Sequence, residues 1–184
     1  HSPDFRDAYF NRGVNYNFLE KLELASRDFT SVIKLDPTFF QAYYNRGVYF
    51  ARLEHYSMAL KDFARVLELN PKIINVYYNR ANIYLKMGLF QKAIDNYNAF
   101  LEADPMHADA YYQRGLAYLK LNSFANGLLD FDKAIELNPS FADAYYNRGL
   151  VYFLNGDYVQ AQQDSHKAIE LNPAIPPLFS DESQ

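Results

Sequence analysis

The 184-residue sequence contains no cysteine and no tryptophan, and it has only seven glycines. Without cysteine there is no disulfide, no thiolate metal site and no thiol nucleophile. No apolar run reaches the roughly 18 residues that a membrane-spanning helix needs, so we predict no membrane span. Basic residues are not in excess: 18 Lys and Arg stand against 22 Asp and Glu, for a net charge of −4. Nucleic-acid binders usually carry a basic excess or a basic face, so we predict no nucleic-acid partner.

The sequence is rich in aromatic residues, with 17 Tyr and 15 Phe, and it repeats itself. Prolines recur every 34 residues, at positions 37, 71, 105, 139 and 173. About thirty residues before each proline stands a version of the phrase Ala-Tyr-Tyr-Asn-Arg-Gly, at 8–13, 42–47, 76–81, 110–115 and 144–149. A fixed period of this length predicts an array of similar structural units.

Each repeat carries two helical patterns. In the second repeat, Tyr43, Gly47 and Phe50 share one helix face, and the apolar residues of the second half share another. Helix-stop signals separate the halves, most clearly Gly88 and Gly156. The proline then prevents the second helix from continuing. The sequence therefore predicts an all-α chain in which every repeat is helix, turn, helix.

The placement of small and aromatic residues resembles the tetratricopeptide repeat family. Small residues occur where the two helices of a hairpin would approach closely, at Gly13, Gly47, Ala81, Gly115 and Gly149 and at Ala25, Ala59, Ala93, Gly127 and Ala161. The chain departs from the family where Tyr stands for Trp and where Val32, Val66 and Phe100 replace a small residue. The resemblance implies a right-handed α-solenoid of five 34-residue helix-turn-helix repeats.

We expect one domain over residues 1–184. Its repeats lie at about 6–39, 40–73, 74–107, 108–141 and 142–175, followed by an extended tail at 176–184. The first residues, His1, Ser2 and Pro3, include neither an initiator Met nor a signal-peptide pattern, so we expect a fragment or processed form of a longer protein.

The fifth repeat differs from the others. Ser165 stands where the preceding repeats have an aromatic residue, and its surroundings are more polar, which predicts the C-terminal end of the array. Prolines prevent a capping helix from starting promptly after it. We expect the tail to lie extended, with Ile175, Leu178 and Phe179 on its own last hairpin or in a neighbour's groove; a disordered tail is the alternative.

No constellation in the sequence predicts catalysis. The four histidines share no metal-like spacing, and the glycines form no phosphate-binding loop. We therefore predict no enzyme, no catalytic residue, no metal and no cofactor. An arginine recurs in each first helix, and in four repeats a carboxylate follows 16 residues later, as in Arg46 and Asp62. We interpret these pairs as structural ion pairs between helices.

The resemblance implies that the first helices line a concave face. We name two rows of residues there: the carboxamide row is Asn11, Asn45, Asn79, Gln113 and Asn147, and the aromatic row is Phe10, Tyr44, Tyr78, Tyr112 and Tyr146. Carboxamides both donate and accept hydrogen bonds, and can pair with a peptide backbone of any sequence, while tyrosines add flat contact area. The arrangement is similar to the asparagine ladder in the tetratricopeptide superhelix of O-GlcNAc transferases. The alternative is that the Asn residues only keep a helix surface soluble.

The predicted function is a protein–protein interaction scaffold that binds an extended peptide segment through these rows. The alternatives are a self-assembly module and a substrate-presenting arm of a larger enzyme. A carboxylate clamp like that of chaperone adaptors is not expected, because the groove positions that would hold its Lys and Arg have no basic residue. The expected partner is thus a protein, a peptide or a second copy of the chain.

Overall fold

The computed structural model describes residues 3–179, and over that range the chain forms ten α-helices and no strand. The helices are α1 (Pro3–Phe18), α2 (Leu22–Leu35), α3 (Phe40–Arg52), α4 (Tyr56–Leu69), α5 (Asn75–Lys86), α6 (Phe90–Ala103), α7 (Ala108–Lys120), α8 (Phe124–Leu137), α9 (Ala142–Asn155) and α10 (Tyr158–Leu171). This confirms the all-α fold class and the two helices per repeat.

The chain divides into two compact units, His1–Ile83 and Tyr84–Gln184, with the division inside α5. In the first unit α1 packs on α2, α2 on α3 and α3 on α4. In the second, α6 packs on α7, α7 on α8, α8 on α9 and α9 on α10. Each unit is thus built from helical hairpins that pack in chain order. The assignment of the whole chain to one domain, with its five repeat limits and its tail, stays a prediction.

In the first four hairpins, an aromatic residue at the centre of the second helix forms the core. The four members of this set, which we call the core aromatics, are at most 1% exposed: Phe29, Phe63, Tyr97 and Phe131. In the first unit Phe63 lies with Ala59 and Val66 of α4 and with Val76 and Ile83 of α5. Burial of one such ring contributes about 1.5–3 kcal/mol, so these residues hold neighbouring helices together.

The glycine of the first helix allows the core aromatic to approach. A Cβ placed on Gly47 would lie 2.9 Å from Cε1 of Phe63, closer than carbon atoms can pack. The corresponding distance from Gly13 to Phe29 is also 2.9 Å. The predicted role of these small residues, close approach of the helices within a hairpin, is therefore confirmed.

Each hairpin turns at a residue in the left-handed conformation. These residues recur at the same place in all five hairpins, at Glu20, Glu54, Gly88, Asn122 and Gly156, with φ between 56° and 85°. The sequence indicated only the two glycines, because Glu is rare at positive φ.

A second turn separates consecutive hairpins, and the Asp or Asn before each repeated proline shapes it. Its side-chain oxygen accepts the backbone N–H two residues later, as Asp36 Oδ1 does from Thr38 at 3.0 Å and Asn138 Oδ1 from Ser140 at 3.2 Å. Such a local bond gives an acceptor to a backbone N–H that lies beyond the end of the helix. The Asx-Pro pair was the available sequence signal for this turn.

Candidate functional site

The carboxamide row places one residue on each first helix. Asn11, Asn45 and Asn79 belong to the first unit, and Gln113 and Asn147 to the second. Asn11 is exposed, whereas the other four residues are half-buried. They are therefore accessible to a ligand while being held by protein neighbours.

Two carboxamides are hydrogen-bonded to tyrosines of the aromatic row. In the first unit Asn79 Nδ2 donates to the Tyr44 hydroxyl oxygen at 3.2 Å. In the second unit Asn147 Nδ2 donates to the Tyr112 hydroxyl oxygen at 3.1 Å. Both bonds span 35 residues and join one first helix to the preceding first helix. From the sequence we expected both rows to face a ligand, and we did not expect them to bond each other. The sequence signal for the pairing was the constant separation of 35 residues between the two partners.

Further bonds fix the donor side of the carboxamides. Asn147 Nδ2 also donates to the Asp143 carbonyl at 2.9 Å, and Asn45 Nδ2 donates to the Gln41 carbonyl at 2.8 Å. A carboxamide nitrogen has two hydrogens, so Asn147 uses both. Within residues 3–179 no donor reaches Asn147 Oδ1. The oxygen is thus the part of this side chain that can bond a ligand, and it accepts rather than donates.

The aromatic row also packs against the core. The Tyr44 ring lies 6.1 Å from the ring of Phe63, and the Tyr112 ring lies 6.0 Å from that of Phe131 and 4.6 Å from that of Phe141. Phe10 makes similar contacts in the first hairpin. Tyr78 and Tyr146 are half-buried like the others. These rings therefore join helices and present only part of their surface to a ligand.

Burial raises the pKa of Tyr112 to about 12, and the nearby carboxylates of Asp143 and Asp109 act in the same direction. The hydroxyl is protonated at neutral pH, as that of an ordinary tyrosine also is, and the raised pKa extends this to alkaline pH. Since its oxygen accepts from Asn147, the O–H itself remains able to donate to a ligand.

The predicted ion pairs are present in the four hairpins where the sequence placed them. In each, Nε and Nη2 of the arginine donate to both carboxylate oxygens of an aspartate 16 residues later, with distances of 2.6–2.8 Å. The pairs are Arg12–Asp28, Arg46–Asp62, Arg114–Asp130 and Arg148–Asp164. All four aspartates are buried. The interpretation of these residues as structural is confirmed.

Three of these arginines also bond the preceding hairpin, which the sequence did not reveal. Nη1 of Arg46 donates to Thr30 Oγ1 at 3.1 Å, and Nη1 of Arg148 donates to Asp132 Oδ1 at 2.6 Å. Arg114 donates to Asn98 Oδ1 in the same way. One guanidinium thus links three helices, and it is not free to bind a ligand.

The histidines in the described range are separate from one another. His55 and His166 are exposed, and His107 caps α7, where its Nδ1 accepts the Ala110 N–H at 3.1 Å. No group of three or more potential metal ligands occurs among residues 3–179. Over the same range no helix is long and apolar enough to cross a membrane.

Comparison with known proteins identifies the repeat. Four family models, each described as tetratricopeptide repeat, match residues 7–39, 40–73, 78–135 and 131–163. A comparison with curated proteins gives no match.

Solved structures share the fold over nearly the whole chain. The structure described as MamA 41-end from Desulfovibrio magneticus RS-1 is 25% identical, with a TM-score of 0.89, and the alignment covers 95% of this chain and 98% of that one. YrrB, described as a TPR protein with an unusual peptide-binding site, is 23% identical, with a TM-score of 0.80 and coverages of 90% and 86%. The solved structures thus agree in fold, and the four family-model matches show that the chain belongs to the tetratricopeptide repeat family, whose members generally act as protein-interaction scaffolds.

Proposed function

We propose that the chain is a non-catalytic scaffold that binds an extended peptide segment through the carboxamide and aromatic rows of its first helices. The observation that carries the proposal is the repeated Asn–Tyr bond, Asn79 to Tyr44 in the first unit and Asn147 to Tyr112 in the second. The bond fixes each carboxamide and leaves its oxygen as an acceptor. An extended backbone offers N–H groups to such acceptors regardless of its sequence.

Three further observations support a peptide as the ligand. The tyrosine rings are half-buried and held by the core, so little side-chain entropy is lost when they contact a ligand. The Tyr112 hydroxyl remains protonated and can donate to a peptide carbonyl. The neighbour YrrB is itself described as having a peptide-binding site.

The test begins with peptides selected against the wild-type chain from a random library. Their affinity is then measured for a variant with Asn45, Asn79 and Asn147 all changed to Ala. Each hydrogen bond contributes about 0.5–1.5 kcal/mol net, so single changes weaken binding mildly and the triple change by roughly 10- to 1,000-fold.

Asn126→Ala is the matched control, because Asn126 is an exposed asparagine of α8 outside the row. It should leave the affinity unchanged. If the triple variant binds the selected peptides as the wild type does, the carboxamide row is not the site.

Self-association is a second candidate, and uncovered apolar side chains at the first hairpin favour it. Phe5 is 65% exposed and Phe18 is 86% exposed. Aromatic residues are enriched at the centres of protein–protein interfaces, where such rings become buried. Light scattering across a range of concentrations tests this candidate: a mass that rises with concentration in the wild type but not in Phe18→Ser supports it, and a constant monomer mass contradicts it.

A further inference from the structure

The fifth hairpin lacks the core aromatic, and a residue from the C-terminal segment lies beside its glycine instead. Ser165 occupies that position and is 2% exposed. In the first, second and fourth hairpins, the atom closest to the glycine of the first helix is Cε1 of the core aromatic. At Gly149, Cδ1 of Leu178 is one of the two closest atoms, 3.0 Å from the point where a Cβ would lie. Leu178 therefore takes the place of the missing ring.

Two other contacts hold the same segment. The backbone N–H of Leu178 donates to Ser165 Oγ at 3.1 Å, a bond that phenylalanine at residue 165 would not provide. The ring of Phe179 meets that of Phe153 of α9 edge-on, with centroids 5.5 Å apart. These contacts agree with the expectation that the tail lies on its own last hairpin; its final residues fall outside the described range.

The segment contacts α9 and α10 as a bound peptide would. Pro176 and Pro177 favour extended backbone and have no N–H to pair within a helix. The backbone N–H of Leu178 and the side chains of Leu178 and Phe179 make these contacts, and they belong to consecutive residues. The serine that replaces the ring both leaves room for Leu178 and supplies its hydrogen-bond acceptor.

We propose that Gly149, Phe153 and Ser165 form a binding site for an extended segment in which Leu is followed by an aromatic residue. The chain's own Pro176–Phe179 is the ligand in this structure, and the same segment supplied as a separate molecule binds when Leu178 is removed. The site shares no residue with the carboxamide or aromatic rows, so it does not depend on the proposed function.

The short stretch of chain between α10 and Leu178, which we call the tether, determines how the site behaves in the intact chain. Leu178 lies only six residues after Asn172, where α10 has ended, and a short tether gives an effective concentration in the mM range. In the wild-type chain, the free segment at micromolar concentration should therefore not occupy this site.

The first measurement is hydrogen exchange of α10 in the full chain carrying Leu178→Ala. We expect α10 amides to exchange about tenfold faster, since the core space beside Gly149 is vacated. Leu129→Ala is the control, because Leu129 is 68% exposed on α8 and should change nothing. Unchanged exchange of α10 in Leu178→Ala would overturn the proposal.

A second pair of variants shows whether Leu178 and the core aromatic occupy the same space. Ser165→Phe should displace the segment, and adding Leu178→Ala to it should then have no further effect on α10 exchange. Ser165→Ala, which keeps the space and removes only the acceptor, provides the comparison if Ser165→Phe does not fold; it should give a smaller increase than Leu178→Ala. If Leu178→Ala speeds α10 exchange as much in the Ser165→Phe chain as in the wild type, the two side chains do not occupy the same space.

The decisive measurement adds a synthetic peptide of residues 172–184 at about 1 mM, matched to the tether's effective concentration, to the Leu178→Ala chain. Binding restores slow exchange in α10, and a peptide with Asp in place of the leucine does not. Carboxamide-row variants such as Asn45→Ala, made in the same Leu178→Ala chain, should respond to the peptide as their parent does. If the peptide restores nothing, the segment is a fixed part of the fold and the proposal is wrong.

Discussion

The arginines of the first helices show how a single side chain can join a repeat array. Arg148 donates to Asp164 within its hairpin and to Asp132 of the hairpin before it. These partners raise the pKa of Arg148 above its ordinary value, at which a guanidinium is already always charged. At Asp130, burial raises the pKa of the carboxyl while the two bonds from Arg114 oppose that rise. Buried charge is thus tolerated only because both oxygens are bonded.

The two partners of Arg148 provide a matched comparison. The Asp164 side chain is 7% exposed and that of Asp132 is 51% exposed. We expect Asp164→Ala to lower the free energy of unfolding by about 3–5 kcal/mol, because it removes the buried partner of the guanidinium. Asp132→Ala should cost about 0–1 kcal/mol, as for exposed ion pairs. Urea denaturation measures both; equal effects would contradict a buried pair.

Tyr112 gives a pH-dependent prediction. Its folded pKa of about 12 lies above the ordinary value of about 10, so the unfolded state releases this proton first. Its contribution to stability is complete below pH 10 and is lost as the pH rises toward 12. Tyr112→Phe should therefore lose less stability than the wild type over that interval. Denaturation monitored by circular dichroism measures the stability of both proteins across this pH range. An equal loss of stability in the two would contradict the raised pKa of Tyr112.

At the level of elements, the hairpin turns contain the residues that are least suited to their backbone conformation. All five require positive φ, yet two carry Glu and one carries Asn. A left-handed residue other than glycine costs roughly 1–2 kcal/mol, and Asn tolerates the conformation better than Glu does. The packing of the two helices holds these turns in place even though their residues do not favour them.

Replacing Glu20 by Gly should relieve this strain. Its carboxylate lies 3.8 Å from the Arg52 guanidinium and the side chain is 82% exposed, so little attraction is lost. We expect the variant to gain up to about 1 kcal/mol in the free energy of unfolding. Glu23→Gly, the same change at a helical residue of α2, should instead lose about 0.5–1 kcal/mol. Thermal denaturation compares the two, and a destabilised Glu20→Gly would refute the presence of strain.

For the molecule as a whole, the described ends differ in how they are covered. On α1, the Arg12 side chain is 54% exposed, whereas those of Arg46, Arg114 and Arg148 are 18–20% exposed. At the other end Leu178 and Phe179 lie on the last hairpin. In repeat arrays each hairpin is stabilised mainly by its neighbours, so an uncovered end opens more readily.

We therefore expect the amides of α1 to exchange with solvent faster than those of α9, the first helix of the last hairpin. Helix α3, which packs on both α2 and α4, provides the fully covered reference. Hydrogen exchange followed by peptide mass spectrometry measures all three in one experiment. Exchange in α1 as slow as in α3 would show that exposure of Arg12 does not reflect a less stable end.

The repeat, and the contacts that recur with it, could be predicted from the amino-acid sequence alone. Prolines 34 residues apart and paired helical patterns specified the helices, and small residues in both helices of a hairpin specified close packing. The Arg–Asp pairs were also predictable, because a fixed separation of 16 residues keeps two side chains facing each other in each of these hairpins. Interactions that recur with the repeat leave a periodic signal in the sequence.

Only the tertiary structure showed which side chains make structural contacts and which remain available to a ligand. The sequence contained the carboxamide and aromatic rows, but it did not show that Asn79 bonds Tyr44 or that the rings pack on the core. Leu178 beside Gly149 is a contact that does not recur at the other helical glycines, so no period marks it. Which hydrogen bonds form depends on the direction of each side chain, and the packing beside Gly149 depends on a segment that follows the last repeat. The spacing of residues in the sequence specifies neither.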